Sequence, residues 1–133
     1  MLTLLDTDTL SLHLRGHPKV TARVQEYART HGLLHFSLIT YYEILNGLLS
    51  KDARGQLNRF QNLLADSRLM PLTPLSIRLS AQFAADLRRG GQLIEHTDIL
   101  IAGVAAANQM QLATNNTAHY ERIPGLDIVN WTL

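Results

Sequence analysis

A chain of 133 residues with a net charge of +1 fits one domain over 1–133 and carries no basic tail that would announce nucleic-acid binding. Its 46% hydrophobic content supports a full core and excludes general disorder. It has no cysteine, so disulfides and thiolate metal sites are excluded, which suits a cytoplasmic setting. Only Lys19 and Lys51 are lysines and the other cations are arginines. Arginine is suited to bidentate phosphate contact, though ordinary usage also produces such a bias.

Met1-Leu2-Thr3-Leu4-Leu5-Asp6 lacks the basic region and long apolar core of a signal peptide. Leu2 to Leu5 instead predicts a short buried strand ending at Asp6. Thr7-Asp8-Thr9 opens a helix. Gly16-His17-Pro18 ends it and starts another, to about Thr30, with Pro18 in its first turn. Leu33 to Ser37 reads as a second strand. Ser37 or Thr40 caps the next helix, to about Leu49, whose core stripe is Tyr41, Ile44, Leu45 and Leu48. Glu43 falls on a different face. Ala53 to Asp66 is a further amphipathic helix. Arg68 to Leu72 is a short strand, which Pro71 assigns to a sheet edge.

Pro74 starts a helix to about Arg89, ended by Gly90-Gly91. Asp98 then stands directly before an apolar or small run, Ile99 to Ala107. That run is too short for a bilayer, which takes about 20 residues. It predicts a helix buried on most sides, with Thr97 or Asp98 near its cap. Gln111 to Thr114 is a fourth strand, Asn115 to Tyr120 a polar loop, and Leu126 to Trp131 a last strand. Strands alternating with helices predict an α/β fold: a three-layer α/β/α sandwich around a mainly parallel sheet.

In open parallel sheets, ligands bind beyond the carboxyl ends of the strands. This places Asp6, Glu43 and Asn116 on one rim, joined by Asp98 if its helix points there. Two carboxylates about 4 Å apart repel by roughly 4 kcal/mol at an effective dielectric near 20. A hard divalent cation removes that repulsion. Magnesium takes oxygen ligands and keeps several waters, and serves displacement at phosphorus. Each residue also has a plainer use. Asp6, Asp8 and Thr9 suit helix caps, Glu43 an exposed helix position, Asn115 and Asn116 a turn. His96 and His119 suit the surface, where either could touch phosphate.

Four segments together resemble the PIN-domain family, specifically the VapC-type toxins of bacterial toxin–antitoxin pairs. They are Leu4-Leu5-Asp6-Thr7-Asp8, Ser37 through Glu43 to Gly47, Gly91 through Asp98 to Ala102, and Thr114-Asn115-Asn116 with Tyr120 through Leu126 and Trp131. The resemblance implies a PIN-like α/β/α domain with endoribonuclease activity dependent on Mg2+ or Mn2+, acting on transfer or ribosomal RNA. Asp6, Glu43 and Asp98 are then the metal ligands, with Asn116 completing the catalytic set. Many relatives carry aspartate where Asn116 stands, which puts a second tightly bound ion in question. Thr7, Glu95, Thr114 and Asn115 are expected to support the site. The resemblance also implies a homodimer and a VapB-type antitoxin partner. No motif for reading DNA is present, and no membrane segment is expected.

Two other readings remain open at this point. Asn116 would suit a catalytically inactive PIN-like binding module. A receiver-like, magnesium-binding signalling domain would want a late lysine, and none follows Lys51.

Overall fold

The first two strands are buried on both sides, and this shapes everything around them. β1 (Thr3–Leu5) and β2 (Leu34–Ser37) are buried at every position in a computed structural model that describes residues 1–133. β3 (Ser67–Met70), β4 (Gln111–Ala113) and β5 (Ile128–Val129) complete a five-stranded sheet in the order β3-β2-β1-β4-β5. All four pairings are parallel. Each strand therefore returns through a helix, as parallel pairing requires.

Successive residues on a strand face opposite ways, and β1 divides its leucines accordingly. Leu4 joins one core with Ile99, Ile101, Val104 and Leu112. Leu5 joins the other with Leu10, Val20, Phe36 and Phe60. Two cores on the two faces of one sheet make the expected three layers.

The first layer holds α1 (Thr7–Leu14), α2 (Pro18–His31), α3 (Leu38–Ser50) and α4 (Arg54–Ala65). Local chemistry sets their ends. Pro18 occupies the first turn of α2, and Gly32 takes a φ of 81° beyond its end. Ser37 caps α3, its hydroxyl accepting from the Thr40 N–H at 3.1 Å. On the other face lie α5 (Pro74–Arg89) and α6 (His96–Ala107). Thr73 and Ser76 cap α5 reciprocally.

The apolar run after Asp98 becomes α6, and Ile99, Ile101, Ala102, Gly103, Val104 and Ala105 are buried along it. Glu95 is its N-cap residue, without a side-chain bond, and Thr97 and Asp98 lie in the first turn, near that cap as expected. Ser80 of α5 donates to the Ile99 carbonyl at 2.9 Å. No helix is long and apolar enough to cross a membrane.

Two expectations need correction. The stretch Asn115 to Tyr120 is not all loop: Thr117–Tyr120 forms the short helix α7, with Asn116 at its N-cap position. Tyr120 and Ile123 are buried in the α6-side core, and that burial winds the segment. The last strand is shorter than Leu126–Trp131 because only Ile128 and Val129 find partners on β4. Trp131 leaves the ladder and packs against Tyr27, with Arg23 5.6 Å over its ring. β3 is at the sheet edge as Pro71 implied, with Pro71 itself just beyond the strand.

Candidate active site

Asp6 follows the last residue of β1 and caps α1. Its backbone N–H stays in the ladder with Ala113 at 3.0 Å, while its Oδ1 accepts from the Thr9 N–H at 2.8 Å. The side chain is almost fully buried, at 4% exposure. Burial in low dielectric disfavours the charged form and pushes the carboxyl up to about 6, opposed by hydrogen bonding from Thr114 and Thr9. Thr114 also accepts from the Asn116 N–H at 2.8 Å. The ends of β1 and β4 are thus stitched together at the sheet's carboxyl rim.

Asp98 comes to the same rim from the other layer. Its carboxyl is likewise raised, chiefly by burial, with Tyr120 and His119 acting against the shift. His119 Nδ1 lies 3.7 Å from Asp98 Oδ2 and 2.7 Å from the Asn116 amide nitrogen. When His119 is neutral, Nδ1 accepts from that amide and Nε2 carries the proton.

Tyr120 marks where the acids meet. Its hydroxyl is buried and has no hydrogen-bond partner of good geometry. Its pKa is raised first by burial, then by the charges of Asp98, Asp6 and Asp8. Asp8, expected only to cap a helix, acts through its charge on Asp6 and on Asp98. Asp8 and Tyr120 are therefore site residues that sequence reasoning passed over, and His119, expected at the surface with phosphate contact open to it, stands between Asp98 and Asn116. The signal for Asp8 was its place two residues after Asp6. Nothing in the sequence pointed to the hydroxyl of Tyr120.

Glu43 reaches the site through Thr7. The Thr7 hydroxyl donates to Glu43 Oε1 at 2.6 Å and lies 3.1 Å from the Thr40 hydroxyl. Asn115 and Glu95 stand apart from the acids. Asn115 Oδ1 accepts from Asn130 and Thr132 at 3.4 Å, and Glu95 is exposed at the head of α6.

No three His, Asp or Glu side chains close around a common point that would hold an ion unaided. The donors are nevertheless all oxygens: a buried and a half-buried carboxyl, both with raised pKa, and a buried hydroxyl. That set fits a hard divalent cation keeping part of its water shell and does not fit zinc, which prefers nitrogen and sulfur.

Comparison with known proteins agrees with this architecture. The PIN-domain family model matches residues 3–126. Ribonuclease VapC10 of Mycobacterium tuberculosis is 34% identical over 118 residues, covering 88% of this chain and 84% of its own. Among solved structures, the DNA-bound VapBC of Salmonella typhimurium superposes with a TM-score of 0.86 at 26% identity, covering 98% of this chain and 99% of the other. The promoter-DNA-bound VapBC2 of Rickettsia felis gives 0.88 at 23% identity, with the same coverage. The family-model match over residues 3–126 and the 34% identity to a VapC ribonuclease, on a parallel sheet of this order, place the chain in the PIN-domain family, among the VapC-type proteins.

Proposed function

We propose that the protein is the toxin of a VapBC-type pair, a divalent-cation-dependent endoribonuclease that hydrolyses RNA phosphodiester bonds. One observation carries the reading. Carboxyls from opposite layers, Asp6 buried and Asp98 half-buried, meet at one rim around a buried hydroxyl with no hydrogen-bond partner of good geometry. Buried like charges are costly without a counter-ion. The names of the relatives as ribonucleases support RNA as the substrate.

Asp6 and Asp98 would hold Mg2+ or Mn2+, with Glu43 completing the acidic set from α3. Such an ion, when bound, supplies positive charge at the scissile phosphate and acidifies water. The remaining work falls to the chain. Thr7 engages Glu43 Oε1, so Oε2 is left to accept a proton from the attacking water. Asn116 gives its amide nitrogen to His119, so its Oδ1 is available to orient that water. His119 Nε2–H faces the departing or bridging oxygens as a donor. Burial of Asp6 and partial burial of Asp98 lower the local dielectric, which strengthens charge interactions at the rim.

The complexes formed by related toxins support a VapB-type antitoxin as the silencing partner, and the family resemblance supports a homodimer. Cleavage of total RNA by the purified protein tests the reading. Activity is expected with magnesium, none in EDTA, and none for Asp98→Asn in either condition. Undiminished cleavage by Asp98→Asn would remove Asp98 from the mechanism. A catalytically silent PIN-like module is the second reading, favoured by the uncharged Asn116 and the lack of a closed three-acid cage. Calorimetric titration separates the two: millimolar manganese binds the nuclease and leaves the silent module without heat.

A further inference from the structure

α1, α3 and α4 meet beside the acidic rim and leave two adjoining clefts. The first, about 170 Å³, opens on Thr7 and Glu43 at one end and on Ser11, Arg15, Lys51 and Gln56 further out. The second, about 270 Å³, continues past the same Arg15 to Arg59 and Thr21. Arg15 therefore belongs to both walls, and the clefts form one groove leading from Glu43 across three helices. All three cations are exposed, and none has a carboxylate within salt-bridge distance. Asp52, the acid beside Lys51 in sequence, pairs with Arg54 at 3.5 Å instead. The only carboxylate lining the groove is Glu43, at its inner end and already bonded to Thr7.

A nearly neutral chain has thus set three uncompensated cations along adjoining clefts, one of which opens on Glu43. We infer that this groove is a subsite for the RNA backbone, in which Arg15, Lys51 and Arg59 each take a phosphate flanking the scissile one. The assignment rests on the nuclease reading above and adds where the substrate strand runs. Its chemistry is consistent at both ends. The acidic rim repels phosphates unless an ion is present, while the groove attracts them, so the strand is drawn in along the cations and only its scissile phosphate meets the acids. Arginine and lysine bind phosphates without reading bases, and Ser11, Thr21 and Gln56 add neutral donors along the track. Arg15 and Lys51 also follow the C-terminal ends of α1 and α3, where a cation is at home against the helix dipole. Arg59 lies within α4 and has no such use.

The test measures binding apart from catalysis. Fluorescence anisotropy of a labelled single-stranded RNA is followed against potassium chloride, with the cleavage-silent Asp98→Asn protein as parent. Each phosphate contact on a single strand contributes about 0.7 to the slope of log affinity against log salt. Adding Arg15→Gln, Lys51→Gln and Arg59→Gln to the parent should lower that slope by about 2 and weaken binding about tenfold or more near physiological salt. Arg29→Gln with Arg78→Gln, on α2 and α5, should change neither quantity. An unchanged slope and affinity in the triple variant overturn the subsite. So does loss of purified antitoxin binding with RNA binding intact, which makes the groove a protein-docking surface. The nuclease reading is judged separately, by cleavage with the unsubstituted protein and magnesium. Weakened RNA binding in a chain that never cleaves leaves the subsite standing and removes the reaction.

Discussion

The hydroxyl of Thr7 donates to Glu43 Oε1 at 2.6 Å across a gap of 36 residues in sequence. It ties the residue next to Asp6 to the acid on α3, so Glu43 is held toward the rim and not left to sample solvent. A neutral donor bound to a carboxylate is worth about 1.5–3 kcal/mol when desolvated, and less here because the pair is only partly buried.

Replacing Thr7 by valine keeps the shape and removes the donor. Cleavage should fall about tenfold, while the fold is retained, since misplacing a functional group by about 1 Å is enough for such losses. Thr7→Ser should recover most of the rate. Single-turnover cleavage of a defined RNA by both variants checks this, and a Thr7→Val enzyme as fast as the parent shows that Glu43 needs no anchor.

Acid should act on stability and on cation affinity in opposite directions. Folding raises the Asp6 carboxyl from 3.8 to about 6, so between these values the folded chain holds a proton that the unfolded chain releases. Stability from this group is greatest below about pH 4 and declines as pH rises toward about 6, by about 3 kcal/mol at most. Asp6→Asn mimics the protonated group. Without metal it should match the parent at low pH and exceed it near neutrality. Only the carboxylate binds a cation, so manganese affinity should hold above about pH 6 and fall below it. Melts in EDTA and calorimetric titrations across this range measure both trends. An advantage for Asp6→Asn confined to acid would reverse the assigned sign.

Tyr120 presents a second test of the same centre. Its buried hydroxyl has no hydrogen-bond partner of good geometry, and a poorly satisfied buried polar group carries a penalty of up to about 1–3 kcal/mol. Tyr120→Phe should therefore raise the stability of the metal-free protein by about 1 kcal/mol. The same change should weaken manganese binding, because it removes the hydroxyl that favours the charged form of Asp98. Chemical denaturation in EDTA and a manganese titration read the two effects. A destabilised phenylalanine variant would mean that the hydroxyl is satisfied in solution.

Gly103 is a packing requirement and not a flexible joint. A Cβ there would lie 2.5 Å from the Ser76 carbonyl oxygen and would also collide with the Ser80 hydroxyl. Gly103→Ala gains about 1 kcal/mol of helix propensity but forces α5 and α6 apart. Overpacking of this kind costs about 1–3 kcal/mol, and backbone resists more than a side chain, so net destabilisation is expected. A denaturation midpoint equal to that of the parent would show that the two helices can separate without loss.

Local rules in the chain decided a good deal. Short, largely apolar runs such as Leu2 to Leu5, alternating with capped helices, dictate buried parallel strands, because a sheet covered on both faces has no polar side to encode. Pro71, Pro74 and Gly32 mark boundaries through backbone geometry alone. The order of Asp6, Glu43, Asp98 and Asn116 along the chain, each near an element end, was legible for the same reason.

Proximity was not legible, because it depends on how separate layers dock. Only the folded chain brings Asp8 against both Asp6 and Asp98, turns His119 between Asp98 and Asn116, and buries the Tyr120 hydroxyl without a partner. Thr117 to Tyr120 looks like loop by composition, yet it winds into a helix because the core under α6 takes up Tyr120. Side-chain type and spacing are written residue by residue, whereas desolvation and charge coupling arise from whatever packs alongside, and that is settled only when distant segments close on one another.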